Sequence, residues 1–268
     1  MKRLLTAFQF LTVIPVGAGI AADDADIAKS SALFVPVGLA QGILLVAADK
    51  ALGVVFQPGL AIALVLLVLV LTNGGFHLDG LADTFDALAS KSTGDASKDM
   101  EKKLSIMRDG TAGPIGVTTI VFSLGLKYLA LVDISGFSSS ACYFSLFLMP
   151  MMSKWTMVAS MYLGRPARQD GLGRLFVSGT GCRELAVSTV ILLIVMAMTE
   201  IVGDTRAAAP LYLFYAGILT LFYLLSRVWV RYFKREFGGL TGDTLGAVSE
   251  VTEISFLFMV IIWSRLSI

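Results

Sequence analysis

Long apolar runs separated by short polar connections dominate the chain. Their lengths approach the roughly 20 apolar residues that cross a bilayer as a helix. Seven runs of this kind are readable, at about 31–48, 58–76, 114–132, 138–162, 185–202, 209–228 and 251–266. A further apolar run, Leu4 to Val16, follows Lys2 and Arg3 and leads into small residues up to Ala22. It imitates a secretory signal. Cleavage there would leave Asp23 outside and invert the topology. The dozen or so residues before Pro15 are too few to span, so a short interfacial or re-entrant helix is expected, broken at Pro15 and the Gly17/Gly19 pair. The pattern predicts an all-α fold: a polytopic integral membrane helix bundle of about seven transmembrane helices plus that short N-terminal helix. No internal repeat or linker divides the chain, so residues 1–268 are expected to form a single membrane-embedded domain.

Composition agrees with the pattern. Hydrophobic residues make up 56% of the chain, charged residues 15%, and the mean hydropathy is +0.80; soluble domains carry about 25% charged residues. The net charge of +1 argues neither for nor against nucleic acid, and no nucleic acid is expected as a partner. The distribution of charge says more than its sum. Sixteen of the 21 Lys and Arg fall on one side of the predicted bundle, three on the other, and Lys127 and Lys154 lie within helices. The basic side is expected to be cytoplasmic, with the N-terminus inside and the C-terminus outside. It also receives the long connections, about 77–113, 163–184 and 229–250, so the chemistry is expected there. Cys142 and Cys182 fall at opposite ends of the bundle, too far apart to bridge. A homo-oligomer is compatible with all of this.

The stretch that carries chemistry is Asn73-Gly74-Gly75-Phe76-His77-Leu78-Asp79-Gly80-Leu81-Ala82-Asp83-Thr84-Phe85-Asp86. On a helix, Asp79, Asp83 and Asp86 fall within roughly 60° of one another. Three acids on one stripe repel unless a cation sits between them, and a hard divalent ion, Mg²⁺ above all, takes oxygen ligands. Acids beside a membrane segment are costly and point to function. A solvated amphipathic face explains the periodicity equally well, but not why no Lys or Arg interrupts it. His77 is the sole histidine. It is a structural hydrogen-bonding residue or a base matched to neutral pH.

Four further places qualify. Met107 to Gly116 puts Arg108 and Asp109 before a glycine-rich entry to the third span, either an ordinary cap or a close backbone approach to a ligand. Arg168 and Arg174 follow the fourth span and suit phosphate. Lys154 either snorkels to the interface or turns inward to phosphate. Gly238-Gly239-Leu240-Thr241-Gly242-Asp243-Thr244-Leu245-Gly246 precedes Glu250 and Glu253. Its backbone N–H groups at a helix start suit an anion, and Thr241 or Asp243 also suits a plain N-cap.

Taken together, His77 to Asp86, Gly238 to Asp243, Phe8 to Val16 and Met107-Arg108-Asp109 with Gly113 and Gly116 resemble the cobalamin synthase family, adenosylcobinamide-GDP ribazoletransferases. The resemblance covers nearly the whole chain. It implies a bacterial or archaeal cytoplasmic-membrane enzyme, active on the cytoplasmic face. Its substrates would be adenosylcobinamide-GDP and α-ribazole or α-ribazole 5′-phosphate, with release of GMP and Mg²⁺ as cofactor. On that basis Asp79, Asp83, Asp86, Asp243 and Glu250 are the expected metal ligands. His77, Asp86 and Asp243 are the expected catalytic groups, and Asn73, Arg108, Asp109, Lys154, Arg168 and Thr241 are expected to bind substrate and phosphate. The alternatives are another Mg²⁺-dependent membrane phosphotransferase or prenyltransferase, and a cation-coupled transporter. A shared site further requires the helix of Asp79, Asp83 and Asp86 to face the Gly238–Gly246 loop across one polar cavity. That cavity should open between the second, third and seventh spans, with Asp243 within about 10 Å of the nearest of these acids.

Overall fold

The structure, a computed structural model, describes residues 1–16, 23–202 and 211–266. The predicted break at Gly17 and Gly19, the connection carrying Arg206 and the last two residues lie outside the described residues. The helices are α1 (Lys2–Leu11), α2 (Asp24–Lys29), α3 (Phe34–Leu52), α4 (Pro58–Thr72), α5 (Phe76–Leu88), α6 (Ala96–Asp109), α7 (Pro114–Phe137), α8 (Ser139–Leu163), α9 (Leu172–Gly179), α10 (Cys182–Val202), α11 (Leu211–Phe237) and α12 (Gly242–Leu266). A 3-10 turn, Ser30–Leu33, joins α2 to α3. Pro58 and Pro114 open their helices, where the missing N–H costs nothing.

Among the described residues, five segments are long and apolar enough to cross a membrane, or six if the bent pair α4 and α5 counts as one. Two of the seven predicted spans therefore differ in kind. The run at 58–76 ends at Thr72. Gly74 and Gly75 then take φ of 62° and 73°, a left-handed conformation that suits glycine, and α5 leaves at 85° to α4. The run at 138–162 is helical as α8 but less apolar, because α8 is enclosed by protein. Residues 148–161 are buried throughout, including Ser153, Lys154, Thr156 and Ser160. Glycines let α3 lie against it: a Cβ at Gly38 would sit 2.7 Å from the Pro150 carbonyl oxygen, and one at Gly42 would overlap that of Phe147. The short α1 buries Thr6, Ala7 and Leu11 and exposes its other face. Its exit is tied to α4 by Val13 N–H donating to the Thr72 carbonyl at 2.9 Å.

Two apolar cores result. One joins α3, α4, α7, α8, α10, α11 and α12. The other joins α1, α5, α6 and α9 to parts of α3, α8, α11 and α12. Where α7, α8 and α12 meet, Lys127 Nζ donates to Glu250 at 2.7 Å and Glu253 at 2.5 Å. Ser123 completes Glu250 at 2.8 Å, and Ser153 completes Glu253 at 3.2 Å. Cys142 is buried, Cys182 is exposed, and both are free thiols.

Candidate active site

Helices α5 and α12 cross at two glycines. A Cβ on Gly80 would stand 2.7 Å from the carbonyl oxygen of Asp243 and 2.9 Å from its Cα. One on Gly246 would stand 3.2 Å from the His77 Cα. Any side chain at Gly80 would push the start of α12 away from the acids of α5. That start is fixed by a reciprocal cap: Thr244 N–H donates to Thr241 Oγ1 at 3.1 Å, and Thr241 N–H to Thr244 Oγ1 at 2.9 Å. The segment before it is pinned to the chain after α8, with Leu240 N–H donating to the Arg165 carbonyl and Ala167 N–H to the Leu240 carbonyl, both at 2.8 Å.

Beside this crossing lies an open cavity of about 580 Å³. His77, Asp79, Gly242 and Asp243 line its polar side; Phe10, Phe76, Leu172 and Phe176 are on its apolar side. The cavity lies between α1, α5, α9 and the start of α12, so α1 and α9 form walls where the second and third spans were expected. Asp83 is 5% exposed. It feels the charges of Asp79, Asp243 and Asp86, opposed by Arg168. Arg168 Nη1 lies 3.9 Å from Asp243, and its Nη2 donates to the Leu104 carbonyl at 2.9 Å. His77 is 6% exposed, and its Nδ1 has no hydrogen-bond partner among the described residues.

The structure thus brings His77, Asp79, Asp83, Asp243, Thr241 and Arg168 together. The other expected residues lie elsewhere. Asp86 turns to α7, accepting from Gly113 N–H at 2.6 Å and Gly116 N–H at 2.9 Å. The glycines before the third span therefore admit this carboxylate: a Cβ on Gly116 would overlap Asp86 Oδ2. Arg108 pairs with Asp170 at 3.0 Å, both largely exposed, and Asp109 accepts from the Thr111 hydroxyl. Asn73 accepts from Gln41 in the interior. Lys154 is buried near Ser153 and Ser249 at 3.4 and 3.5 Å. Glu250 is held by Lys127. Among the described residues no three His, Cys, Asp or Glu close around a point as a metal cage.

A model of the family described as cobalamin-5-phosphate synthase matches residues 3–261. The chain belongs to that family. Three relatives are named adenosylcobinamide-GDP ribazoletransferase. The protein from Geotalea daltonii is 33% identical over 261 residues, 97% of each chain. That from Thermodesulfovibrio yellowstonii is 29% identical, covering 99% of this chain and 98% of its own. That from a Roseiflexus species is 34% identical, covering 92% and 85%. No solved structure matches the chain.

In this chain, sequence reasoning missed Gly80, Gly246 and the aromatic wall. Gly80 carried one signal, a glycine inside an otherwise good helix. The partner that needs its empty side is remote in sequence. The Lys127–Glu253 pair had a signal too, since ionisable residues within membrane helices are rarely left unpaired.

Proposed function

We propose that this chain is an adenosylcobinamide-GDP ribazoletransferase of the phosphotransferase type, working at the cytoplasmic face of the inner membrane. It joins the activated corrinoid to α-ribazole or its 5′-phosphate and releases GMP. The family match and the relatives' names support the activity. The observation that carries the site is the crossing at Gly80, which sets Asp243 beside Asp79 at an open cavity, with the buried Asp83 feeling the charge of both.

The donor set fits Mg²⁺. It offers carboxylate oxygens, those of Asp79 and Asp243 open to the cavity and those of Asp83 buried, with Arg168 as the nearby cation. The lack of a closed protein cage also fits, because Mg²⁺ is usually held by one or two carboxylates, waters and substrate phosphates. Asp79, Asp83 and Asp243 would hold it. Bound there, Mg²⁺ supplies positive charge against the diphosphate.

The protein's share is alignment and proton transfer. The ribose hydroxyl of the ribazole forms the new bond to the phosphorus next to cobinamide, and the bond to the GMP oxygen breaks. His77, Asp79 and Asp243 line the cavity, and one of these groups takes the hydroxyl proton. The N–H groups at the start of α12 and Arg168 face the phosphate charge. The test is GMP release by the purified protein in lipid nanodiscs supplied with both substrates. EDTA should abolish release and added Mg²⁺ restore it. Release that ignores EDTA would refute the metal assignment, and no release with both substrates would refute the activity.

A further inference from the structure

The cavity is lined by two unlike sets of residues, and the reacting groups belong to only one. In the other, the Phe10 and Phe176 ring centroids lie 4.1 Å apart, and Phe34 backs them at 5.9 and 5.3 Å. Phe76 and Leu172 line the same cavity yet stay 56% and 52% exposed. Because these side chains share one cavity with the carboxylates, they offer an apolar surface to the part of a ligand next to its charged end. Phe76 directly precedes His77, so this surface adjoins the polar set within one residue.

We propose that the aromatic set takes the flat base of the acceptor nucleoside, with its ribose directed to His77 and Asp79. This rests on the transferase reading above and adds which substrate the cavity encloses. Two bases compete for the place, the benzimidazole of the ribazole and the guanine of the nucleotide donor. Guanine carries carbonyl and amino groups on its edge, and burying them without partners is costly. The polar side chains beside the aromatic residues are Thr6 and Gln9, and each is already tied to backbone: Thr6 Oγ1 donates to the Lys2 carbonyl at 3.1 Å, and Gln9 Nε2 to the Val16 carbonyl at 3.0 Å, which leaves few groups for a guanine edge. A benzimidazole has no exocyclic amino or carbonyl group and loses little there. Size agrees. The cavity, at about 580 Å³, lies within the roughly 300–1,000 Å³ typical of small-molecule sites. It accommodates a nucleoside whole, whereas a corrinoid nucleotide can present only its diphosphate end.

The test is equilibrium binding of α-ribazole and of guanosine to the full chain in nanodiscs, with Phe76→Ala and Phe76→Trp, followed by KM for each substrate. Phe76 is exposed, so neither variant threatens folding. Phe76→Ala should weaken α-ribazole binding about tenfold, the loss of one stacking contact. Phe76→Trp should retain it, and KM for adenosylcobinamide-GDP should not move. Unchanged α-ribazole affinity in Phe76→Ala, or a rise confined to the KM of adenosylcobinamide-GDP, would overturn the assignment while leaving the transferase reading intact. Binding of α-ribazole through Phe76 without any GMP release would do the reverse.

Discussion

Asp79, Asp83 and Asp86 share one helix stripe, but their surroundings divide them. Asp83 is buried among carboxylates, and Asp86 is spent on two backbone N–H groups of α7. Asp83→Asn should therefore insert normally and lose Mg²⁺-dependent turnover. Removing one ligand of a charge-neutralising ion costs on the order of several kcal/mol of barrier, more than about a hundredfold in rate. Near-normal GMP release at ordinary Mg²⁺ would count against it. Gly80→Ala tests the crossing without touching an acid. Its Cβ must displace the Asp243 backbone, so turnover should drop and the melting temperature fall, with overpacking worth about 1–3 kcal/mol. Normal activity in that variant would mean the close approach is dispensable. At this scale the acids and His77 were legible because their spacing is local. The fate of Asp86 was not, because the N–H groups that claim it follow a separate helix. The need for glycine at position 80 was hidden for the same reason: it is set by a neighbour from the far end of the chain.

The helices owe their arrangement to a few polar ties. Asp86 closes the start of α7, where a carboxylate also meets the positive end of the helix dipole. Asp86→Ala should lower thermal stability by about 2 kcal/mol, the worth of a charged hydrogen bond. Asp79→Ala should leave stability nearly unchanged, and equal melting temperatures in detergent would contradict the capping role. Lys127 joins α7 to α12 through two buried carboxylates. Lys127→Met leaves both unpaired and should cost about 3–5 kcal/mol; an unchanged unfolding midpoint would contradict the tie. Elements were readable where apolar periodicity dominates. The bend between α4 and α5 was announced by Gly74-Gly75 but masked by the apolar run ahead of it, which extended the predicted span to Phe76. Helix α8 is predicted correctly in extent, yet a hydropathy pattern cannot tell a lipid-facing helix from one enclosed by six others.

For the whole molecule, the central claim is that two segments from opposite ends of the chain form one reaction site. The charge distribution and the second apolar core put α1, α6, α9 and the start of α12 at the end that carries the cavity. That end should be cytoplasmic, and a reporter fused after Ile268 should be active only outside. The most direct test of the shared site is a double-mutant cycle on GMP release with Asp83→Asn, Asp243→Asn and the pair. Groups acting as a unit are strongly non-additive, so the double variant should be no slower than the slower single one. Losses that multiply in the double variant would show that Asp83 and Asp243 act independently and would contradict the shared site.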